Sequence, residues 1–394
     1  MKLNNRPSDR FDWTLAFILL LFLIVSTVAI ASAQTTGQYN INFVPSQIQW
    51  YVVGAAIIAV MMYFDPEQYK KAAWIIYGGG VFLLFMLFIL PEGMELVARR
   101  NNAKSWFHLP GLGSIQPAEF MKTFYIIGAA RLITMHNENN LNRTPQTDLL
   151  LLAKIMGLLI VPLFFIMKQP DLGTALVFIA ITAALILVSG ITWKIIVPLY
   201  AGTAAFGAIL IWMAVYMQDF LVKTFGFSAY QFARIYSWLD PYAYPSDEGR
   251  HLITSLNAIG SGMIGGKGFQ GREVYVPEAH TDFIFAIIGE DWGFIGASLV
   301  ISLYFVLIYH LTRTTLQLKD PFSTYVCTGI IAMITFHVFQ NVGMTIQLLP
   351  ITGIPLPLIS YGGSSIMGNM LALGLVFSMK FHHRTYMFSA DPEE

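Results

Sequence analysis

From Trp13 onward the chain is a succession of long apolar stretches broken by brief polar segments. With roughly 17 to 25 apolar residues per bilayer crossing, spans are expected near 13–33, 47–64, 73–91, 118–135, 149–167, 172–189, 195–217, 283–310, 325–346 and 356–380. Lys2, Arg6, Arg10, Lys70, Lys71, Arg131, Arg143, Lys194, Arg313, Lys319, Lys380 and Arg384 fall on the side of the N-terminus, whereas loops 34–48 and 347–355 contain no Lys or Arg. The positive-inside rule therefore predicts cytoplasmic termini. The first stretch, WTLAFILLLFLIVSTVAIASA, follows a basic start, as a signal peptide would, but its length is that of a spanning anchor. The A-S-A near its end leaves cleavage as the other reading.

Two spans depart from this regularity. The fourth carries Glu119, Lys122 and Arg131, so it is expected to enter at an angle or to sit partly in protein, and the fifth and sixth are separated only by KQPDL. No period of 20 to 50 residues repeats and no linker marks a boundary. The expected fold is all-α: one polytopic integral membrane domain over 1–394, about ten transmembrane helices, and one long extracytoplasmic loop, 218–281. Within that loop LITSLNAIGSGMIGGKGFQG suggests a re-entrant or surface-lying helix followed by a tight loop.

Composition agrees: 56% of the residues are hydrophobic and 12% charged, so lipid is the solvent. Net charge is zero, which gives no sign of a nucleic-acid partner, and the single cysteine, Cys327, excludes an internal disulfide and reads as packing.

Charged groups at membrane depth cost several kcal/mol, so each needs a cavity or a partner. Glu119 and Lys122 lie at i, i+3 on one helical face behind Pro117: a structural ion pair with a helix-terminus role, or a functional pair. Asp171, in QPDLGTAL, reads as an N-cap that could still face the same cavity. Arg234 and Asp240 sit among Tyr230, Phe232, Tyr236, Trp238 and Tyr242. Interfacial anchoring explains the aromatics, while a guanidinium fork suits phosphate oxygens. GGKGFQGR adds Lys267 and Arg272 on a glycine scaffold whose amides could approach an anion. Thr281 or Asp282 could cap the eighth span; alternatively, Asp282, with Glu278 and His280 within a turn, could be a general base or help hold a divalent metal. Glu290 and Asp291 read as interior packing partners. PLPLISYGGSSIMGNM, with Ser360, Ser364 and Ser365 inside a span, reads as close helix packing.

Taken together, PEAHTDFIFA (277–286), QPDLGTAL (169–176), IQPAEFMK (115–122), RIYSWLDP (234–241) and LPITGIPLPLISYGGSS (349–365) resemble the shape, elongation, division and sporulation (SEDS) family, in register over nearly the whole chain. The resemblance implies a ten-span peptidoglycan glycosyltransferase that polymerises lipid II at the outer face of the cytoplasmic membrane, its growing glycan carried on undecaprenyl pyrophosphate. It also implies a class B penicillin-binding protein as partner. The aspartate of the HTDF string, Asp282 here, is the family's proposed catalytic residue, acting directly or through a divalent cation such as Mg or Mn. Glu119 and Lys122 match the family's paired Glu and Lys, although Ala118 stands where Ser is usual. Ser105 replaces the basic residue before Trp106, leaving Lys104 to supply charge. The substrate-binding set expected on these grounds is Glu119, Lys122, Trp106, Lys104, Asp171, Arg234, Lys267, Glu278, His280, Ser360 and Ser364. The string around Asp282 leans towards the elongation branch over the division branch. The competing readings are a lipid II flippase and a non-catalytic scaffold; the first predicts label crossing vesicles without chain growth, the second no effect of Asp282 substitutions.

Overall fold

The computed structural model describes residues 10–34, 42–91, 97–100, 103–109, 113–217, 229–244 and 248–383. Lys2, Arg6 and Arg384, and part of the expected loop 218–281, lie outside them. Ten long helices appear where ten spans were expected: α1 Trp13–Ala33, α2 Phe43–Tyr63, α3 Pro66–Ile89, α4 Pro117–Asn139, α5 Pro145–Lys168, α6 Leu172–Val188, α7 Trp193–Tyr216, α10 Ile284–Gln317, α11 Pro321–Thr345 and α12 Gly363–His382. Eight of these are long and apolar enough to cross a membrane. The exceptions are α6, apolar but only 17 residues, and α4, whose charges lower its hydropathy. Two shorter helices, α8 (Ala229–Leu239) and α9 (Glu248–Ser261), lie between α7 and α10.

Helix starts follow local chemistry. Asp65 and Thr144 close capping boxes with Gln68 and Thr147 ahead of α3 and α5, and Asp320 caps α11. Pro66, Pro117, Pro145 and Pro321 occupy first-turn positions whose missing N–H would have no helical partner anyway. Almost every residue of α4 through its first turns is buried, so this charged span sits in protein rather than lipid.

Three features depart from the sequence reading. A three-stranded antiparallel sheet, β1 Val97–Arg100, β2 Ala103–Leu109 and β3 Gly113–Ile115, joins α3 to α4 within an otherwise helical chain. The last span starts at Gly363, not 356, because 350–362 folds as an irregular segment stitched by side chains. Ser26 Oγ donates to the Ile359 carbonyl at 2.8 Å, Gln47 Nε2 to that of Ser360 at 3.2 Å, and the Tyr51 and Tyr304 hydroxyls to those of Leu358 and Pro357. Main-chain groups at membrane depth need partners inside the protein, and these helices supply them.

The third departure is a break in α10 at Gly293 (φ 62°). The carbonyls of Glu290 and Asp291 accept from the amides of Lys267 and Gly268 at 3.0 and 2.9 Å. Beyond the break, the amides of Phe294 and Ile295 donate to the carbonyls of Met263 and Ile264 at 2.9 and 3.2 Å. A Cβ on Gly266 (φ 77°) would lie 2.2 Å from the Asp291 carbonyl oxygen. The glycine-rich stretch is thus built to approach a broken helix, and its amides satisfy that helix rather than an anion. Cys327 is buried, its Sγ 3.5 Å from Met379 Sδ, as packing requires.

Candidate active site

Lys122 Nζ lies 2.8 Å from Glu119 Oε1 and 3.0 Å from His337 Nε2, with Glu119, Lys122 and His337 each at most 5% exposed. His337 Nδ1 is 2.7 Å from the Met333 carbonyl, which assigns the ring proton to Nδ1 and leaves Nε2 as an acceptor for the ammonium. The pair sits in the first turns of α4, where Glu119 complements the positive helix end. Removing either partner of a buried pair typically costs about 3–5 kcal/mol through the charge left behind. Gln116 precedes the helix; its amide donates to Ser364 Oγ at 3.0 Å and its Nε2 to Asp171 Oδ2 at 3.1 Å. Asp171 also caps α6 through the Thr174 amide at 2.9 Å, as expected. The starts of α4, α6 and α12 therefore converge.

Asp282 is half-buried one residue ahead of the α10 N-cap, which is Phe283 and makes no side-chain cap bond. The capping reading of Thr281 or Asp282 is thereby corrected. Thr281 instead turns back on Glu278, its amide 3.1 Å from that carbonyl, and Glu278 adopts φ 50° to make the turn. Asn341 Nδ2 donates at 2.8 Å to the carbonyls of both Asp282 and Ile354. Asp282 Oδ2 lies 3.4 Å from where a Cβ on Gly353 (φ 70°) would stand. On the other side of the same loop, Gly173 of α6 abuts Thr352 and Ile354. The segment ITGIP thus forms a wall between Asp282 and the Asp171 corner.

His337 and Asn341 occupy one face of α11 a single turn apart, so the contact to Lys122 and the contact to the Asp282 turn are separated by about 6 Å of helix rise. Glu119, Lys122, Asp171 and Ser364 thus meet around the starts of α4, α6 and α12, while α11 ties the turn that bears Asp282 to the same end of the bundle. Sequence reasoning missed His337, Asn341 and Gln116. The signal was there for two of them: polar His337, Gln340 and Asn341 at i, i+3 and i+4 in an apolar span.

Other expected ligands make contacts within the protein. Lys267 Nζ pairs with Glu273 at 2.9 Å and Glu290 at 3.1 Å. Glu273 and then Glu290 hold the ammonium above the ordinary lysine value. Glu290 also accepts from the Glu273 and Val274 amides, at 2.9 and 3.1 Å. Lys104 donates to the carbonyls of Phe88 and Leu90 at the end of α3. Ser360 lies in the irregular segment, not in a span; its hydroxyl donates to the Thr281 carbonyl at 2.6 Å and accepts from the Leu356 amide at 2.8 Å. His280 is stacked on Phe43, with ring centroids 4.6 Å apart, and beside Tyr361. Trp106 pairs with Ala98 in the sheet. Arg234 sits on α8, which Trp238 Nε1 ties to the Gln347 carbonyl at 3.1 Å, beyond the end of α11; Asp240 accepts from the Ala243 amide at 3.0 Å.

A resident metal fits poorly. Among the described residues no group of three or more His, Cys, Asp or Glu could hold one, so a divalent ion at Asp282 would take most of its ligands from carbonyls, hydroxyls, water or substrate.

A bundle of ten long helices, with a buried Glu–Lys–His cluster and a carboxylate framed by loops at the same end, defines a polytopic membrane protein with a polar site at that end. The chain belongs to the family of the cell cycle proteins FtsW, RodA and SpoVE, whose model matches residues 9–385. It is 31% identical to the stage V sporulation protein E of Bacillus subtilis, over 95% of this chain and 98% of the relative. Identity is also 31% to the peptidoglycan glycosyltransferase MrdB of Escherichia coli, over 97% and 98%. The crystal structure of the rod shape determining protein RodA of Thermus thermophilus shares the fold, with TM-score 0.68, 21% identity and coverage of 95% and 98%. So does a chain from a peptidoglycan synthase complex, with TM-score 0.74, 23% identity and coverage of 94% and 97%.

Proposed function

We propose that this protein is a peptidoglycan glycosyltransferase that polymerises lipid II at the outer face of the cytoplasmic membrane during cell elongation, with Asp282 as its catalytic carboxylate. The observation that carries this reading is the placement of Asp282, framed by Gly353 and tied through α11 to the end of the bundle that holds Lys122. The outward position of that end follows from the distribution of Lys and Arg. Relatives named peptidoglycan glycosyltransferase at about 30% identity over nearly full length support the activity.

In this reaction Asp282 accepts the proton of the 4-hydroxyl of lipid II's GlcNAc as its oxygen attacks the anomeric carbon of the growing chain. The C–O bond to undecaprenyl pyrophosphate breaks, and the pyrophosphate leaves with the electron pair. Lys122 and Arg234 stabilise its charge. Apolar grooves take the polyprenyl tails: one of ≈ 520 Å³ lined by Met61, Tyr69, Phe82, Thr123 and Phe124, another of ≈ 440 Å³ lined by Leu19, Tyr51, Ile58 and Phe377. A class B penicillin-binding protein is the proposed partner, in keeping with the solved relative from a complex described as coordinating polymerization and crosslinking. No step is routed through a metal.

The test is polymerisation of purified lipid II by detergent-solubilised protein. Asp282→Ala at matched protein level is expected to lose at least about 100-fold in rate, and full activity in that variant would remove Asp282 from the mechanism. Label crossing vesicles with no chain growth would instead support the flippase. Because the described residues include no cluster of three or more His, Cys, Asp or Glu that could hold a metal, EDTA is expected to leave the thermal midpoint within about 1 °C; a large fall would reveal a structural metal.

A further inference from the structure

We propose that His337 and Asn341 are positioning residues for this reaction, setting the Lys122 ammonium and the Asp282 carboxylate in register from one face of α11. The inference rests on the glycosyltransferase reading and assigns roles to two residues that reading does not use.

An ammonium has three N–H groups. Glu119 alone would neutralise the charge of Lys122, yet with one acceptor the head group could still pivot about that bond. His337 Nε2 takes a second N–H at 3.0 Å, and its own tautomer is held by the Met333 carbonyl at 2.7 Å. With two of the three donors anchored, the direction of the third is set.

Asn341 acts on the main chain. Both hydrogens of its Nδ2 go to carbonyls, those of Asp282 and Ile354, each at 2.8 Å. One side chain thereby joins the turn that bears Asp282 to the loop whose Gly353 stands against the carboxylate. Asn341 is fully buried, so both bonds are shielded from water.

The two residues share a helix and are four positions apart, so the distance between their dependents is set by helix rise rather than by loop conformation. Sites built on a helix hold geometry more tightly than sites built on loops. A displacement of about 1 Å at a reacting group can cost on the order of 100-fold in rate. The expected signature is a change in kcat, because Lys122 and Asp282 act on the charge and the proton that move in the transition state.

The experiment measures kcat and KM for lipid II with wild type, His337→Leu, His337→Gln and Asn341→Ala, alongside the thermal midpoint of each. His337→Leu and Asn341→Ala are expected to lower kcat about 100-fold with KM within about threefold. His337→Gln, which offers an amide oxygen to Lys122, is expected to recover most of that loss. Equal loss in the Leu and Gln variants at wild-type thermal midpoint overturns the inference for His337; unchanged kcat, or a rise in KM alone, overturns it for either residue. If His337→Leu yields no folded protein, His337→Ala, which leaves Lys122 without its second acceptor, and Asn341→Ala decide by the same kcat and KM criterion. Wild-type protein that builds no glycan chains overturns the glycosyltransferase reading and this inference with it, whereas active wild type with unaffected variants overturns this inference alone.

Discussion

Two helices of similar length, α7 and α12, show what hydrophobicity does and does not decide here. In the most apolar window of α7 only 6% of the residues are buried, against 78% in α12, although α7 is the more apolar helix. In water the ranking would be reversed; in lipid an apolar side chain gains little by leaving the acyl chains for the protein interior. Polar and small residues drive the burial. α12 carries Ser364, Ser365, Gly368 and Asn369, whose hydroxyl and amide groups need partners and whose small side chains permit close approach. The glycines record the same contrast. Gly202 and Gly207 of α7 have nothing within 4 Å of a Cβ position, whereas a Cβ on Gly368 would stand 3.0 Å from the Glu119 carbonyl oxygen and one on Gly363 2.5 Å from the Trp50 ring.

This contrast can be broken by substitution. Gly368→Val pushes α12 from the backbone that carries Glu119 and is expected to destabilise by about 1–3 kcal/mol. It should be visible as a lowered thermal midpoint in detergent; a midpoint equal to wild type would show that the two helices are not held in this contact.

A smaller effect is expected where α12 ends. Asp12 caps α1 and pairs with Lys380 at 2.9 Å and His310 at 2.8 Å. Burial pushes its carboxyl up, but the hydrogen bonds from His310 and Lys380 outweigh it and hold it below the ordinary value of 3.8. A depressed folded-state value stabilises above the unfolded value and loses that contribution as pH falls through the folded one. Wild type should therefore lose midpoint temperature below about pH 4 relative to Asp12→Asn, and parallel profiles would refute the tie. The least effect belongs to α7: Gly202→Val should change stability by no more than about 0.5 kcal/mol, and a large loss would mean that this face is covered.

The ten long helices, eight of them long and apolar enough to cross a membrane, could be read from the chain because a helix in lipid must satisfy its own backbone over a length set by bilayer thickness. Asp171 as a cap and Glu119 with Lys122 as a pair were also legible, since caps and i, i+3 partners are local. The partners of Lys267 and Lys104 were not legible for the opposite reason. Whether a lysine meets a substrate or Glu290, 23 residues on, or the end of the preceding helix, is not a local property. The break at Gly293 and the irregular 350–362 segment were hidden likewise, because their backbone partners come from distant elements.

The sequence by itself determined the ten long helices, where most of them begin, and that Asp282 stands at the start of one of them, for these depend on residues within a few turns. Only the tertiary structure decided that α11 presents His337 to Lys122 and Asn341 to the Asp282 turn. Those hydrogen bonds join residues 59 and 215 positions apart, and their geometry exists only once the bundle has packed.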